Sequence, residues 1–326
     1  MDDDDDEDDG GNDDDDDQMN ESFVAEMAHL ESDKEESGDE EMDEVSHREA
    51  SPSHLRSASW KLQPQEDRPF SCSAVQIFSV FIGRAKFRPL QIYGSVILSS
   101  HIGKSQLFSR EAKEDAFKLD EHVKTIPVLD GCQAYDECAS VKVKFDLKDT
   151  ESSLHIKGYV NWDLRGAKHW VWREPDYGRR WFDRQLCSFV QGTNGFAAIY
   201  YTLFEEAVQA DVEVLCMPKT GNGNAAVVCP RIYGTLVARY NNYDYRTRYN
   251  KEYYQIGLFE RSREDPVEVG PRGLVALSRC RVAVPVKSSL VVEANFISDG
   301  NDGVPHQVLC SREFRIRARD DEAILE

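Results

Sequence analysis

Val141-Lys142-Val143-Lys144-Phe145-Asp146-Leu147-Lys148 alternates apolar and charged side chains without a break. Period two marks a strand with one buried and one wet face, because successive side chains of a strand leave on opposite sides. The alternation returns in Val208, Ala210, Val212 and Val214 against Gln209, Asp211, Glu213 and Leu215, and in Phe314 and Ile316 against Arg315 and Arg317. Further strands are expected over 74–81, 90–98, 123–128, 153–161, 197–203, 225–229, 231–239, 254–260, 279–286 and 289–297. Gly, Pro, Asn and Asp punctuate the intervals, as in Lys219-Thr220-Gly221-Asn222-Gly223-Asn224, a hairpin connection. Beyond a turn or two near 110–121 no helix is expected. The predicted fold is all-β, an antiparallel β-sandwich.

Outward from that stretch the sequence repeats itself. Ala74-Val75-Gln76 returns as Ala207-Val208-Gln209, and Ile92-Tyr93-Gly94-Ser95 as Ile232-Tyr233-Gly234-Thr235. Leu107-Phe108 before Arg110-Glu111 matches Leu258-Phe259 before Arg263-Glu264. Cys138 ahead of Val141 to Leu147 matches Cys280 ahead of Val282 to Val286. The landmarks keep their order and nearly their spacing, so the sandwich domain, 69–322, reads as two related β units, about 73–150 and 206–298. A glycine inside a strand weakens it, and Gly94 and Gly234 are expected to serve a bulge or a close approach. Whether the units share one sandwich or make two stays open; the lack of a Pro/Gly-rich linker favours continuous pairing across one core.

Charge divides the chain at its other end. The net charge is -21 over 326 residues, yet residues 1–50 hold 25 acids against only Lys34 and Arg48, and the remainder is nearly neutral. The run Asp2 to Asp17 repels itself and has nothing apolar to bury, so residues 1–68 are expected to form a disordered acidic tail. Within it Phe23, Met27 and Leu30 would share one face of a short helix, a candidate docking stripe. Ser37, Ser51 and Ser59 are candidate phosphosites, beside acids or three residues after an arginine. Such a tail keeps a protein soluble, attracts a basic partner, or shields a basic surface.

No stretch approaches the ~20 apolar residues of a spanning helix, and the poly-Asp start lacks the basic and apolar runs of a signal peptide. A cytoplasmic or nuclear protein is expected. Eight cysteines spread over a large domain read as free thiols. None forms a C-x-x-C pair and no His stands at zinc-ligand spacing, so no metal and no cofactor is expected.

Two segments gather chemistry. Trp170, Trp172 and Trp181 stand among Arg173 and Arg180, and Tyr243, Tyr245 and Tyr249 interleave with Arg246 and Arg248. Planar rings among cations suit an aromatic-Arg protein interface or a single-stranded nucleic acid. Packing is the other account, with Trp170 and Trp172 on one strand face and the tyrosines cross-strand in a twisted hairpin. The expected partner is a protein, with nucleic acid as the alternative and no membrane role.

Leu90 to Ile97, Leu107-Phe108-Ser109-Arg110, Val128-Leu129-Asp130-Gly131-Cys132, Ala207 to Val214 and Leu277 to Val286 carry one further signal. In this order they resemble a cereal-expanded plant family, a domain of unknown function found alone or fused behind the ribosome-inactivating, rRNA N-glycosidase domain of jasmonate-induced proteins. The resemblance spans about 72–320 and implies a β-rich, stress-related interaction domain with no catalytic residue to carry over. The N-glycosidase it brings into question needs a helical Glu-Ala-Ala-Arg; Glu205-Glu206-Ala207-Val208-Gln209-Ala210 lacks the Arg and runs into a strand pattern. Gly103-Lys104-Ser105 lacks the leading Gly and following helix of a phosphate loop. The reading is a non-enzymatic interaction domain, with rRNA N-glycosidase or nucleic-acid binding as the alternative.

Overall fold

From Ser73 to Val80 every side chain is buried, which a strand with one wet face does not do. The computed structural model describes residues 55–64, 72–84, 89–120, 124–135, 140–163, 182–218, 231–270, 273–299, 305–319 and 322–325. Its strands are β1 (Leu55–Pro64), β2 (Cys72–Gly83), β3 (Leu90–Ser99), β4 (Lys104–Arg110), β5 (Phe117–Leu119), β6 (Thr125–Ile126), β7 (Cys132–Tyr135), β8 (Ser140–Asp149) and β9 (His155–Asp163). They continue with β10 (Leu186–Gly192), β11 (Gly195–Pro218), β12 (Arg231–Tyr240), β13 (Ile256–Arg261), β14 (Val267–Glu268) and β15 (Arg281–Pro285). Last come β16 (Leu290–Asp299), β17 (Pro305–Phe314), β18 (Ile316–Arg319) and β19 (Glu322–Leu325). The described helices are a 3-10 turn, Lys113–Asp115, and α1, Arg248–Tyr253.

Seven strands, β1, β2, β6, β7, β10, β11 and β15, make a middle sheet in which β2 pairs antiparallel with β11. The order β4-β3-β8-β9, with β5 beside β3, makes the first outer sheet; β13-β12-β16-β17, with β14 beside β12, makes the second. Val75, Ile77, Val80 and Ile82 of β2, with Ala197, Ile199, Tyr201 and Leu203 of β11, belong to the core of the first outer sheet. Ala74 and Phe78, with Ala198, Tyr200 and Phe204, belong to the core of the second. Two cores thus lie on opposite faces of one sheet, and the two sandwiches share their middle layer. Each fully buried Val, Leu, Ile or Phe stabilises this arrangement by about 1.5–3 kcal/mol.

The outer sheets agree in register as well as in order. Gly94 lies opposite Leu147 and Arg110, and Gly234 opposite Phe296 and Arg261. Phe108 faces Val96 and Phe259 faces Leu236, each just before the bulge of its strand pair. Both glycines have φ +117°, and a Cβ would stand 2.0 Å from the Asp146 carbonyl oxygen or 2.1 Å from that of Asn295. Each therefore admits a neighbouring backbone where no side chain fits, the close approach expected of them. Two landmark pairs move. Arg110 matches Arg261 rather than Arg263, since each faces the glycine of its sheet. Strand β8, with Val141 to Leu147, matches β16, whereas the residues after Cys280 form β15 in the middle sheet. Strands of equal alternation are interchangeable by spacing alone, and only pairing separates them. Cys138 lies outside the described residues.

Leu55–Pro64, within the segment expected to be tail, forms β1 and pairs with β11 from Leu55 opposite Pro218 to Pro64 opposite Ala210. Ala58, Trp60 and Leu62 alternate there with Ser59, Lys61 and Gln63, a short period-two pattern flanked by polar sequence. The strands expected over 197–203 and 208–214 are one strand of 24 residues, β11, with an irregularity between Phe204 and Ala207. The expected hairpin at 219–224 and strand at 225–229 lie outside the described residues. Among the described residues no helix is long and apolar enough to cross a membrane, and Cys132, Cys187, Cys216 and Cys280 are thiols outside any disulfide.

Candidate functional site

Trp170, Trp172, Arg173, Arg180 and Trp181 lie outside the described residues, as do Ser37 and Ser51. Ser59 lies in β1 opposite Leu215. Trp162, just before that segment, belongs to the core: its Nε1 donates to the Tyr201 hydroxyl at 2.7 Å, and the rings stand 4.2 Å apart.

The tyrosine segment links β12 to its partner β13 and contains α1, where the packing account had a twisted hairpin. Thr247 Oγ1 accepts from the Asn250 N–H at 3.1 Å and caps that helix. Tyr240, Tyr243, Tyr245, Tyr253 and Tyr254 are buried, and Tyr249 is half-buried. Phe78 has Tyr254, Tyr240 and Tyr243 around it at 5.6, 5.9 and 6.2 Å, and Tyr200 stacks on Tyr253 at 4.7 Å. The hydroxyls are engaged too: Tyr243 with Thr202 Oγ1 at 2.5 Å, Tyr249 donating to Tyr200 at 3.0 Å, and Tyr245 donating to the Tyr254 carbonyl at 3.1 Å. Tyr243 and Tyr249 are therefore packed against the middle sheet, and Tyr245 against Tyr240 and Tyr254, so that of the two accounts of this segment the rings follow packing rather than a stacking surface. Large rings with satisfied hydroxyls gain most when removed from water. The interleaved cations go the other way. The Arg246 side chain is 90% exposed and holds both Asp244 carboxylate oxygens at 3.0 Å; Arg248 is exposed.

A polar seam crosses the middle sheet where β7 and β15 flank β2 and β11. Gln76 Oε1 accepts from the Ala283 N–H at 2.9 Å, and Gln209 Nε2 donates to Cys132 Sγ at 3.7 Å. Arg279 is buried and donates to the Ile77 carbonyl at 2.5 Å, with burial pulling its pKa down to about 10. Arg281 stands 3.2 Å from Asp130 and 3.6 Å from Asp211. These contacts tie strands to one another, and the seam reads as structure.

The outer face of the first outer sheet is different in kind. The register turns outward Lys104 of β4, Lys118 of β5, Lys142, Lys144 and Lys148 of β8, and Lys157 of β9. Among the described strand side chains of this face the one carboxylate is Asp146, which lies 3.1 Å from His155 Nε2; Glu114 and Asp115 of the 3-10 turn stand exposed at its edge. None of the six lysines makes an ion pair among the described residues. Tyr159 is 60% exposed, with Lys142 Nζ 3.6 Å from its ring centroid. Ile97, Lys144 and Tyr159 form one row across β3, β8 and β9, and Ser99, Lys142 and Asn161 the next.

The second outer sheet supplies the control. By register its positions matching Lys142, Lys144, Lys148 and Lys157 hold Val291, Glu293, Ile297 and Leu309, and Glu293 is paired with Arg239 at 2.7 Å. A frame that accepts Val, Glu, Ile and Leu at these places does not need lysine in order to fold. Unpaired like charges about 7 Å apart along a strand repel one another at low salt.

A family model described as a domain of unknown function, DUF6598, matches residues 74–324, from β2 to β19. The chain belongs to the DUF6598 family. No curated protein and no solved structure matches it. The DUF6598 match takes in both outer sheets, so the lysine face and the tyrosine helix are parts of the family's domain, while β1 precedes it. The lysines of this DUF6598 face were not among the residues singled out from sequence. Their signal was present in the polar half of Val141 to Lys148, which is lysine at three of its four positions.

Proposed function

We propose that this DUF6598 chain is a non-enzymatic interaction domain that captures an anionic partner on the outer face of β3, β4, β8 and β9. The contrast between the two outer sheets carries the reading: matched frames hold lysines on one face and Val, Glu, Ile and Leu on the other. Their common order and register also support an origin of both from one duplicated unit. The resemblance to the plant family fused behind ribosome-inactivating domains supports a stress or defence setting. Glu206, which an N-glycosidase reading would need on a helix, stands in β11 where the strand shifts register, between Phe204 and Ala207.

Dextran sulfate, a polyanion without bases or peptide groups, is the direct probe. The full-length chain is expected to bind it with an affinity that falls steeply with salt. Replacing Lys142, Lys144 and Lys157 together by Glu should weaken binding at least about tenfold and flatten the salt dependence, while stability changes by less than ~1 kcal/mol. Affinity indifferent to salt, or a triple variant that binds like the parent, would remove the basis for this reading.

A further inference from the structure

We infer that the partner of the lysine face is a single-stranded nucleic acid, laid across the strands with its phosphates on the lysines and a base on Tyr159. This rests on the anion-binding reading above and adds the class of anion. The lysines alone would serve any polyanion; what distinguishes the face is the apolar and aromatic surface set among them. Tyr159 is 60% exposed in the row that also holds Lys144 and the half-buried Ile97. Tyr93, half-buried, stands two rows away beside Lys148 and has Lys113 Nζ 5.9 Å from its ring centroid.

Lys142 covers one face of the Tyr159 ring, and a base laid on the other face would remove apolar surface from water. An acidic peptide offers carboxylates to the lysines and little to the ring, whereas every nucleotide couples one phosphate to one planar base, the pairing this face repeats. Lys142 and Lys144 stand about 7 Å apart on β8, and Lys104 lies in the row of Lys142 two strands away, so the cations are spread across the strands as well as along one of them. Duplex fits less well. Its grooves admit a helix or a two-stranded ribbon, while this face is four strands wide, and a broad sheet is suited to splayed, unpaired bases.

The test compares three probes on the full-length chain at equal salt: an oligouridylate of about 12 nucleotides, the same strand annealed to its complement, and poly-glutamate of similar charge. The single strand is expected to bind most tightly. Tyr159→Ala should weaken it about tenfold and leave poly-glutamate binding unchanged, and Tyr159→Phe, which keeps the ring, should restore it. Tyr159 is exposed, so the variants are expected to fold, and their melting midpoints check this. Equal binding of poly-glutamate and oligouridylate, with Tyr159→Ala neutral for both, would overturn the nucleic-acid assignment and leave an acidic protein segment as the ligand. Tighter binding of the duplex would overturn the single-strand geometry. Failure of all three probes to bind would overturn the anion-binding reading itself.

Discussion

Gly94→Ala is expected to destabilise the domain by about 3 kcal/mol or more, and Gly234→Ala by a similar amount. At φ +117° an L side chain is strained before it meets anything, and the added Cβ would lie 2.0 Å from the Asp146 carbonyl oxygen or 2.1 Å from that of Asn295. Those oxygens belong to the central strands β8 and β16, each hydrogen-bonded on both sides, so neither can retreat without breaking a ladder. Gly257 in β13 is the internal control, because nothing lies within 4 Å of its Cβ position. Gly257→Ala should change stability by less than about 1 kcal/mol. Thermal midpoints of the three variants decide the matter. Equal midpoints for Gly94→Ala and Gly257→Ala would mean that the two strands do not approach as described.

Alkali should unfold the domain cooperatively between about pH 9 and 12. Burial pushes the thiols of Cys132 and Cys187 from 9.0 up to about 12 and that of Cys216 to about 11. It pushes the phenols of Tyr201 and Tyr245 from 10.0 to about 12, and that of Tyr240 well above its ordinary value. A group that holds its proton longer in the folded chain stabilises the fold fully below its ordinary pKa, and this contribution is lost as pH climbs toward the folded value. Each group then costs about 1.4 kcal/mol per pH unit across its window. Arg279 has the opposite sign, its pKa being lowered to about 10, but it is one group against several. A typical stability of 5–15 kcal/mol would be exhausted before the window closes. Circular dichroism and tyrosinate absorbance should change together. Ionisation of most of the thirteen tyrosines with the sheet signal intact would contradict the burial of the aromatic cluster.

The fold was largely legible because its evidence is local. Val141 to Lys148 shows one buried face by alternation, whereas the two buried faces of β2 emerged only with the structure. The glycines of Ile92-Tyr93-Gly94 and Ile232-Tyr233-Gly234 announced a close approach because a strand interior otherwise disfavours glycine. What stayed hidden depends on pairing. The fusion of two expected strands into β11, the place of β15 in the middle sheet, and β1 beside residues 210–218 are decided by partners distant in sequence. Helix α1 was missed because six residues give no apolar period to read, and its cap, Thr247, is a single residue.

The site was less legible than the fold for the same reason. Cations interleaved with rings at 243–249 looked like a binding surface, yet the rings turn inward and the arginines outward. Lysines at three of the four outward places from Lys142 to Lys148 looked like an ordinary wet face. They become a site only when register sets Lys104, Lys157 and Tyr159 beside them and when the second outer sheet shows the same frame without lysine.

The most direct measurement is a lysine footprint of the full-length chain. Acylation rates of individual lysines, read by mass spectrometry with and without a saturating polyanion, report which amines the ligand covers. Protection at Lys104, Lys142, Lys144, Lys148 and Lys157, with Lys251 of α1 and Lys287 after β15 left reactive, is the predicted result. Protection centred on Lys251 or Lys287, with the β8 lysines as reactive as before, would contradict the assignment of the first outer sheet as the binding face.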